Sequence, residues 1–294
     1  PSNTPNCSAF ESRINRCIKE AEAAYRAMRY CDAIKYAFYQ LQLDRDTYRD
    51  YCAKMGMVVH AETIQRFMEV QYVVLAPICP HICEHVWGTV LKKEGSVTRA
   101  AWPTAGAIDE ALLAADEYLQ GRLHIFRQQL QRMLQVKVGK GKPLPDILEA
   151  YIFIAKGYTP WQRKVLEALA AHHDVAAHGA AAGGFPADVV DRVKAVLLAD
   201  AAMKPLFKKA MEFVAVVVAS HRGLPHALPS LRCEPPLDEE ALWRDNMEYV
   251  RRALGIPTVT VLRIEDEGVL ALDTSSRAKE VTVGEPCASV AKHA

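Results

Sequence analysis

Apolar side chains recur at every third or fourth position over the first hundred residues, which is the spacing of one face of an α-helix. Ser8 and Glu11 fit a capping box at the start of the first predicted helix, because each side chain can bind a free backbone N–H of the other. The apolar stripe of this helix consists of Phe10, Ile14, Cys17 or Ile18, Ala21, Tyr25 and Met28.

Three further helices are predicted in this part of the chain. The second starts near Asp32, ends before Gly56 and carries an inward stripe of Ile34, Phe38, Leu41 and Tyr48. The third runs from about Ala61 to Leu75, with an inward stripe of Ile64, Phe67, Met68, Tyr72 and Leu75. The fourth starts at Pro80, whose ring suits a first helical turn, and its apolar positions are Ile82, Val86 or Trp87, and Val90 or Leu91. Short connections between these helices predict an up-and-down bundle.

A long amphipathic helix is predicted next, from Asp109 to Leu134, after a linker that contains Gly95, Pro103 and Gly106. Its inward stripe consists of Leu112, Leu119, Leu123, Phe126, Leu130 and Met133. The segment from Gln135 to Asp146 contains glycines, prolines and three lysines, and is predicted to be a mobile loop.

The pattern changes to mixed strands and helices in the remainder of the chain. Ala150 to Ala155 and Thr258 to Ile264 are rich in β-branched and aromatic residues and are predicted strands, and Val269 to Leu272 and Glu280 to Val283 are predicted as short additional strands. Helices are predicted after Thr159, near 187–198 and 206–220, and from Asp238 to Leu254. The predicted fold is mainly α, with a helical bundle over residues 1–106, a connecting helix and basic loop over 107–146, and a smaller α/β domain over 147–294.

Composition narrows the possible functions only slightly. The net charge of +1 and the 50% apolar content are ordinary for a globular protein, so no strong basic excess indicates nucleic-acid binding. The eight cysteines contain no C-x-x-C pair and are predicted to be reduced thiols of an intracellular protein. The longest apolar run, Phe213 to Ala219, is too short for a membrane span, and the first residues lack a signal pattern, so we expect a cytoplasmic protein without a membrane partner.

The segment from Leu75 to Trp87 contains a specific motif. Its Pro77, Pro80, His81, Glu84 and Trp87 resemble the P-x-x-P-H-x-x-E-x-x-W signature of the helical anticodon-binding domain of class I aminoacyl-tRNA synthetases, and Trp102 and Pro103 resemble the tryptophan-proline pair that follows it. The segments 69–87, 101–106 and 152–161 are similar to eukaryotic cytosolic-type leucyl-tRNA synthetases, and this resemblance extends over about residues 8 to 264. It implies a structural role for the motif.

The resemblance also implies a function. It implies the C-terminal, tRNA-binding portion of an enzyme that ligates leucine to its tRNA using ATP, with leucine tRNA as partner and with neither DNA nor a membrane bound. The chain contains no H-x-G-H and no K-M-S-K-S sequence, the motifs that bind ATP phosphates in these enzymes. We therefore expect no catalytic residue and no cofactor in this chain, with ATP and Mg bound by a catalytic domain outside it.

Cys79, His81, Cys83 and His85 invite comparison with a zinc site, because Cys and His are the usual ligands of zinc. Alternate residues share a face on a strand, but this stretch is predicted to start a helix, where His81 and His85 share a face and Cys83 points elsewhere. We therefore expect no metal here. His81 is expected to bind a backbone group at the helix junction, and Glu84 and Trp87 are expected to pack against the first helix.

Recognition of tRNA requires cations that can approach phosphates. Candidates are on the first helix, on the long helix with its basic loop, and in the final domain: Arg13, Arg16, Lys19, Arg122, Arg127, Arg132, Lys137, Lys140, Lys142, Arg251, Arg252 and Arg263, with Lys208, Lys209, Arg277 and Lys279 as weaker candidates.

Two alternatives remain open from the sequence. The first is the corresponding part of a valyl- or isoleucyl-tRNA synthetase. The second is a protein-interaction module that docks a synthetase into a multi-enzyme assembly, with other synthetases or scaffold proteins as partners.

Overall fold

A computed structural model describes residues 5–138, 149–179, 184–221, 231, 233, 237–272, 281, 283 and 286–290. Most of these residues are helical and the strands among them form one small sheet, which confirms the mainly α fold with a smaller α/β part. The chain divides into two compact units, Pro1–Leu123 with Glu248–Gly255, and His124–Met247 with Ile256–Ala294.

The first unit is a helical bundle around one apolar core. Its helices are α1 (Pro5–Arg26), α2 (Tyr30–Ile34), a π-helical segment (Lys35–Gln40), α3 (Leu41–Met55), α4 (Ala61–Leu75), α5 (Pro80–His85), a second π-helical segment (Val86–Val90) and a 3-10 turn (Val97–Arg99). Gly56 ends α3 in the left-handed conformation, with φ of 66°, as its position predicted.

Two predicted helix starts are wrong. Helix α1 begins at Pro5, so Ser8 and Glu11 lie within the helix and do not form a capping box. Helix α2 begins at Tyr30, and Asp32 lies in its first turn, where it accepts a hydrogen bond of 2.9 Å from Arg29 Nε. Both helices start before the residue that was predicted to cap them, so Ser8 and Asp32 lie inside the helices and not at their N-caps.

The inward face of the second predicted helix is also displaced. Ala33, Ala37 and Leu41 are buried, whereas Phe38, which was predicted to be inward, is exposed. The π-helical segment Lys35–Gln40 explains the difference, because its wider turn changes the phase of the residues that face the core.

Helix α5 shows a similar displacement. Pro80 occupies its first turn and Val86 is buried, both as predicted, and Leu91 is half-buried, but Ile82 and Val90 are exposed and Cys83 is buried instead. The π-helical turn at Val86–Val90 again breaks the 3.6-residue period on which the prediction depended.

Helix α6 covers Glu110–Val138 and contributes its first half to the first unit. Leu113, Leu119, Leu123, Phe126 and Leu130 are buried along it, while the predicted Leu112 is only half-buried. The helix continues through residues 135–138, which were wrongly predicted to be loop, and the rest of the predicted loop lies outside the described residues.

The second unit combines helices with a mixed sheet in the order β2-β1-β3. Its elements are β1 (Glu149–Ile154), α7 (Pro160–Ala170), α8 (Val175–His178), α9 (Val189–Ala199), a 3-10 turn (Lys204–Leu206), α10 (Phe207–His221), α11 (Glu239–Asp245), β2 (Thr258–Arg263), a 3-10 turn (Val269–Leu272) and β3 (Cys287–Val290); α12 (Met247–Leu254) lies largely in the first unit. Strand β1 pairs parallel with β2, Ile152 facing Val261, and antiparallel with β3, Ile152 facing Ala288. Ile152, Phe153 and Ile154 are all buried, as befits a central strand covered on both faces.

Strands β1 and β2 confirm the two main strand predictions. Val269–Leu272, predicted as a strand, is a 3-10 turn, and β3 was not predicted. Of the predicted strand from Glu280 to Val283, the structure describes Val281 and Val283, which are not in a strand, and the other two residues lie outside the described residues. Asp238 caps α11 as predicted, but Asn246 interrupts the helix by binding the Leu242 carbonyl through its side chain at 2.9 Å.

None of the helices in the described ranges is long and apolar enough to cross a membrane.

Candidate nucleic-acid interface

The proline motif builds a helix junction. Glu84 accepts hydrogen bonds from Ser96 Oγ and, at 3.2 Å, from Val97 N, so it fixes the 3-10 turn beyond α5. The Ser96 hydrogen bond lowers the pKa of Glu84 because it favours the carboxylate. The hydrogen-bond partners of Glu84 thus lie in the turn beyond α5, and its expected packing against the first helix stays a prediction. The His81 side chain is exposed and forms no hydrogen bond with the described residues, so its expected bond to a backbone group is wrong.

The two tryptophans of the motif support the bundle core. Trp102 packs edge-on against Tyr25, with ring centroids 5.9 Å apart, and the Tyr25 hydroxyl donates to the Val74 carbonyl at 3.0 Å. Trp87 is half-buried against the same core, and Lys93 Nζ lies 6.0 Å from its ring centroid. Pro103, next to Trp102, is half-buried and Pro77 is exposed in the turn before α5. Trp87 and Trp102 thus contribute to the packing of the bundle.

The Cys and His residues of the motif point in different directions. Cys83 is buried, whereas Cys79, His81 and His85 are exposed. Helical geometry separates Cys83 from the two histidines, as the sequence argument required.

Two of the three candidate cations on α1 are neutralised by acidic residues of α6. Arg13 forms an ion pair with Asp116, and its Nε lies 3.9 Å from Asp44. Arg16 binds Glu110 at 2.6 Å and Glu117 at 3.0 Å. Burial disfavours the charge of Arg16, but these two carboxylates outweigh it and raise its pKa.

The third candidate, Lys19, is exposed and has no ion pair among the described residues. It lies one turn beyond Arg16 on α1, so the equal spacing of Arg13, Arg16 and Lys19 conceals two different environments. Of the three candidates on α1, Lys19 alone can bind a phosphate without first breaking an ion pair with a described residue.

The candidate cations of α6 are also unequal. The Arg122 guanidinium lies 5.6 Å from the Tyr118 ring centroid, Arg127 is half-buried, and Arg132 is exposed. The side chain of Lys137 and the whole of Lys140 and Lys142 lie outside the described residues.

The remaining candidates mostly hold the protein together. Arg252 binds Glu248 at 2.8 Å and donates to the Lys54 carbonyl at 2.9 Å, and Arg251 is half-buried on the same helix. Arg263 pairs with Glu240, and this hydrogen bond raises the pKa of Arg263. Lys208 and Lys209 are exposed on α10, and Arg277 and Lys279 lie outside the described residues.

Sequence reasoning missed an exposed group on the π-helical segment. Lys35, Phe38 and Tyr39 lie on the outer surface, with the Phe38 and Tyr39 ring centroids 5.3 Å apart. The adjacent aromatic pair was visible in the sequence, but the regular period placed Phe38 in the core.

Comparison with known proteins identifies the bundle. The sequence family described as the anticodon-binding domain of tRNA ligases matches residues 8–140. The chain is 33% identical over 264 residues to a cytoplasmic leucine–tRNA ligase of Pongo abelii, covering 89% of this chain and 21% of that protein. The corresponding protein of Dictyostelium discoideum is 32% identical over 257 residues, covering 86% of this chain and 23% of the relative.

A cytoplasmic leucine–tRNA ligase of Arabidopsis thaliana shows 29% identity over 276 residues, covering 90% of this chain and 24% of the relative. The chain thus spans between a fifth and a quarter of the length of these relatives. The similarity includes the helical bundle and most of the second unit. The chain therefore belongs to the leucine–tRNA ligase family and corresponds to the part of it that carries the anticodon-binding domain.

Proposed function

We propose that this chain is the tRNA-binding portion of a cytoplasmic leucyl-tRNA synthetase. In this proposal the complete enzyme ligates leucine to its tRNA, ATP and Mg bind to a catalytic domain outside this chain, and this portion positions the tRNA. The family match to residues 8–140 carries the proposal, because it coincides with the helical bundle of the first unit. The leucine–tRNA ligase relatives favour the leucyl over the valyl or isoleucyl interpretation.

The contacts of the cations indicate how such binding works. Phosphate contacts position a nucleic acid without reading its bases, and they need charges that are accessible to the ligand. Lys19 and Arg132 are exposed and have no acidic partner among the described residues, whereas Arg13, Arg16, Arg252 and Arg263 are occupied by carboxylates. We infer that RNA contacts fall on the first group and that the second group maintains the fold.

A charge-matched pair of variants on α1 tests this inference. Lys19→Gln and Arg16→Gln each remove one positive charge, three residues apart on one helix. Affinity for leucine tRNA is measured over a series of salt concentrations. If Lys19 touches a phosphate, Lys19→Gln makes the negative slope of log affinity against log salt concentration shallower by about 0.9. Arg16→Gln should instead lower the stability of the chain and leave that slope unchanged.

The choice of RNA tests the proposal as a whole. The chain should bind leucine tRNA, which has a long variable arm, more tightly than a tRNA with a short arm. Equal binding to both RNAs at every salt concentration would contradict the positioning of leucine tRNA by this portion. A salt slope that becomes shallower with Arg16→Gln but not with Lys19→Gln would contradict the division into accessible and occupied cations.

A further inference from the structure

The π-helical segment carries an exposed aromatic surface, formed by Lys35, Phe38 and Tyr39, which we call the aromatic ledge. Phe38 is 38% exposed and Tyr39 is 64% exposed, whereas Phe10 and Phe67 of the same bundle are buried. The two rings meet edge to face, with an interplanar angle of 77° and centroids 5.3 Å apart. The edge of one ring therefore contacts the face of the other, and part of each ring stays exposed to solvent.

The backbone explains why two consecutive rings point outward. Ala33, Ala37 and Leu41 are buried, so they fix the inner face of this segment against the bundle. The π-helical turn is wider than an α-helical turn, and single π-helical turns inside helices are frequent at functional sites. Exposed apolar surface rimmed by polar residues is characteristic of binding sites, and the two adjacent rings provide such surface.

The charge beside the rings identifies the chemistry of that ligand. Lys35 is exposed, lies one helical turn before Tyr39 and forms no ion pair with a described acidic residue. Its Nζ lies 5.3 Å from the centroid of the neighbouring Tyr36 ring, which is half-buried and is not part of the ledge. A ring surface beside an unneutralised cation fits a nucleotide, which has a flat base and a negative phosphate.

We propose that the aromatic ledge binds one unpaired nucleotide of a tRNA, with the base stacked on Tyr39 and its phosphate beside Lys35. The inference rests on the proposed function, because an RNA ligand is what the family match provides. Phe38 fixes the orientation of the Tyr39 ring from the side. Stacking accepts any base, so the ledge increases affinity without selecting a sequence.

The test compares four variants of the full chain in binding to leucine tRNA over a salt series. Tyr39→Ala removes the ring and should weaken binding by about 5- to 150-fold. Tyr39→Phe keeps the ring and should retain the wild-type affinity. Lys35→Gln should make the negative salt slope shallower by about 0.7, the value for one phosphate of a single strand. Leu43→Ala is the matched control, because Leu43 is 59% exposed one turn after Tyr39 but has no ring to stack on.

The outcomes separate the ledge from the proposed function. If the wild-type chain binds tRNA and the Tyr39→Ala variant binds it equally well, nucleotide binding by the ledge is contradicted while the proposed function stands. If Tyr39→Ala and Leu43→Ala weaken binding equally, the surface acts as a general apolar contact, and stacking is overturned. If wild-type chain binds no tRNA even at low salt, the proposed function fails and the ledge fails with it. Circular dichroism spectra identical to wild type confirm that the variants are folded.

Discussion

Phe67 provides a quantitative test of the bundle core. Its side chain is 2% exposed on α4, its ring centroid lies 5.9 Å from that of Phe10, and Phe10 stacks on Tyr48 at 4.9 Å. The Arg45 guanidinium lies 5.8 Å from the Phe67 ring centroid on another side. The ring thus joins three helices, α1, α3 and α4, so its removal leaves a cavity that no single side chain can fill.

The expected cost follows from cavity formation. Truncating a buried Phe to Ala removes apolar contacts and leaves a void, and it typically costs about 3–5 kcal/mol. Phe67→Ala should therefore lower the free energy of unfolding of the first unit by that amount. Trp87→Ala should cost less, because Trp87 is only half-buried at the edge of the same core.

Denaturant unfolding, followed by far-UV circular dichroism, measures this difference. Val58→Ala is the control, because Val58 is 93% exposed and its loss should change stability by no more than about 0.5 kcal/mol. The chain contains two compact units, so the transition of the first unit must be resolved before a free energy is assigned. A Phe67→Ala transition that coincides with wild type would show that α4 does not pack as described.

Three further predictions concern other parts of the chain. Burial and the neighbouring His221 lower the pKa of His173 in the folded chain. The neutral side chain therefore contributes its full stability above the unfolded pKa of about 6.5, and this contribution is lost as the pH falls through the lower pKa of the folded chain. His173→Gln should flatten the decline of the thermal midpoint below that pH, and a control change at the exposed His178 should not. Glu84→Ala should speed hydrogen exchange at the Val97 amide, which donates to Glu84 at 3.2 Å, and unchanged protection would show that the bond is dispensable. The purified chain should catalyse no leucine-dependent pyrophosphate exchange above a buffer control, because it lacks the ATP-binding motifs; any such exchange would contradict its proposed role as a positioning portion.

The regular parts of the fold were predictable because local sequence determines them. The helix from Ala61 to Leu75, the Pro80 start, the Thr159 cap and strands β1 and β2 all follow from side-chain period or from cap chemistry. The outward turn of Phe38 was not predictable from a 3.6-residue period, because a π-helical turn changes that period without an obvious sequence signal. Strand β3 was missed since Cys287–Val290 is short and becomes a strand by pairing with β1, far away in sequence.

The cations show the same limit for the candidate interface. Periodicity correctly placed Arg13 and Arg16 on α1, but their partners Asp116, Glu110 and Glu117 lie about a hundred residues later, on α6. A single sequence shows which charges share a helix, whereas neutralisation depends on which helices pack together. Candidate interfaces therefore need the tertiary structure to separate occupied cations from accessible ones.

This separation gives an expected salt dependence for the accessible cations. Nine of the twelve candidate cations have described side chains, and Arg13, Arg16, Arg252 and Arg263 among them pair with carboxylates. Lys19, Arg132 and Lys35 are exposed and pair with no described carboxylate, so these three would together contribute a slope of about −3 if each touched a duplex phosphate. A steeper measured slope would require further cations: arginines of internal ion pairs that open on binding, other exposed lysines such as Lys208 and Lys209, or cations outside the described residues, such as Lys140 and Lys142. Neutralising Lys140 and Lys142 tests the last case, because it alone predicts that the excess slope then disappears.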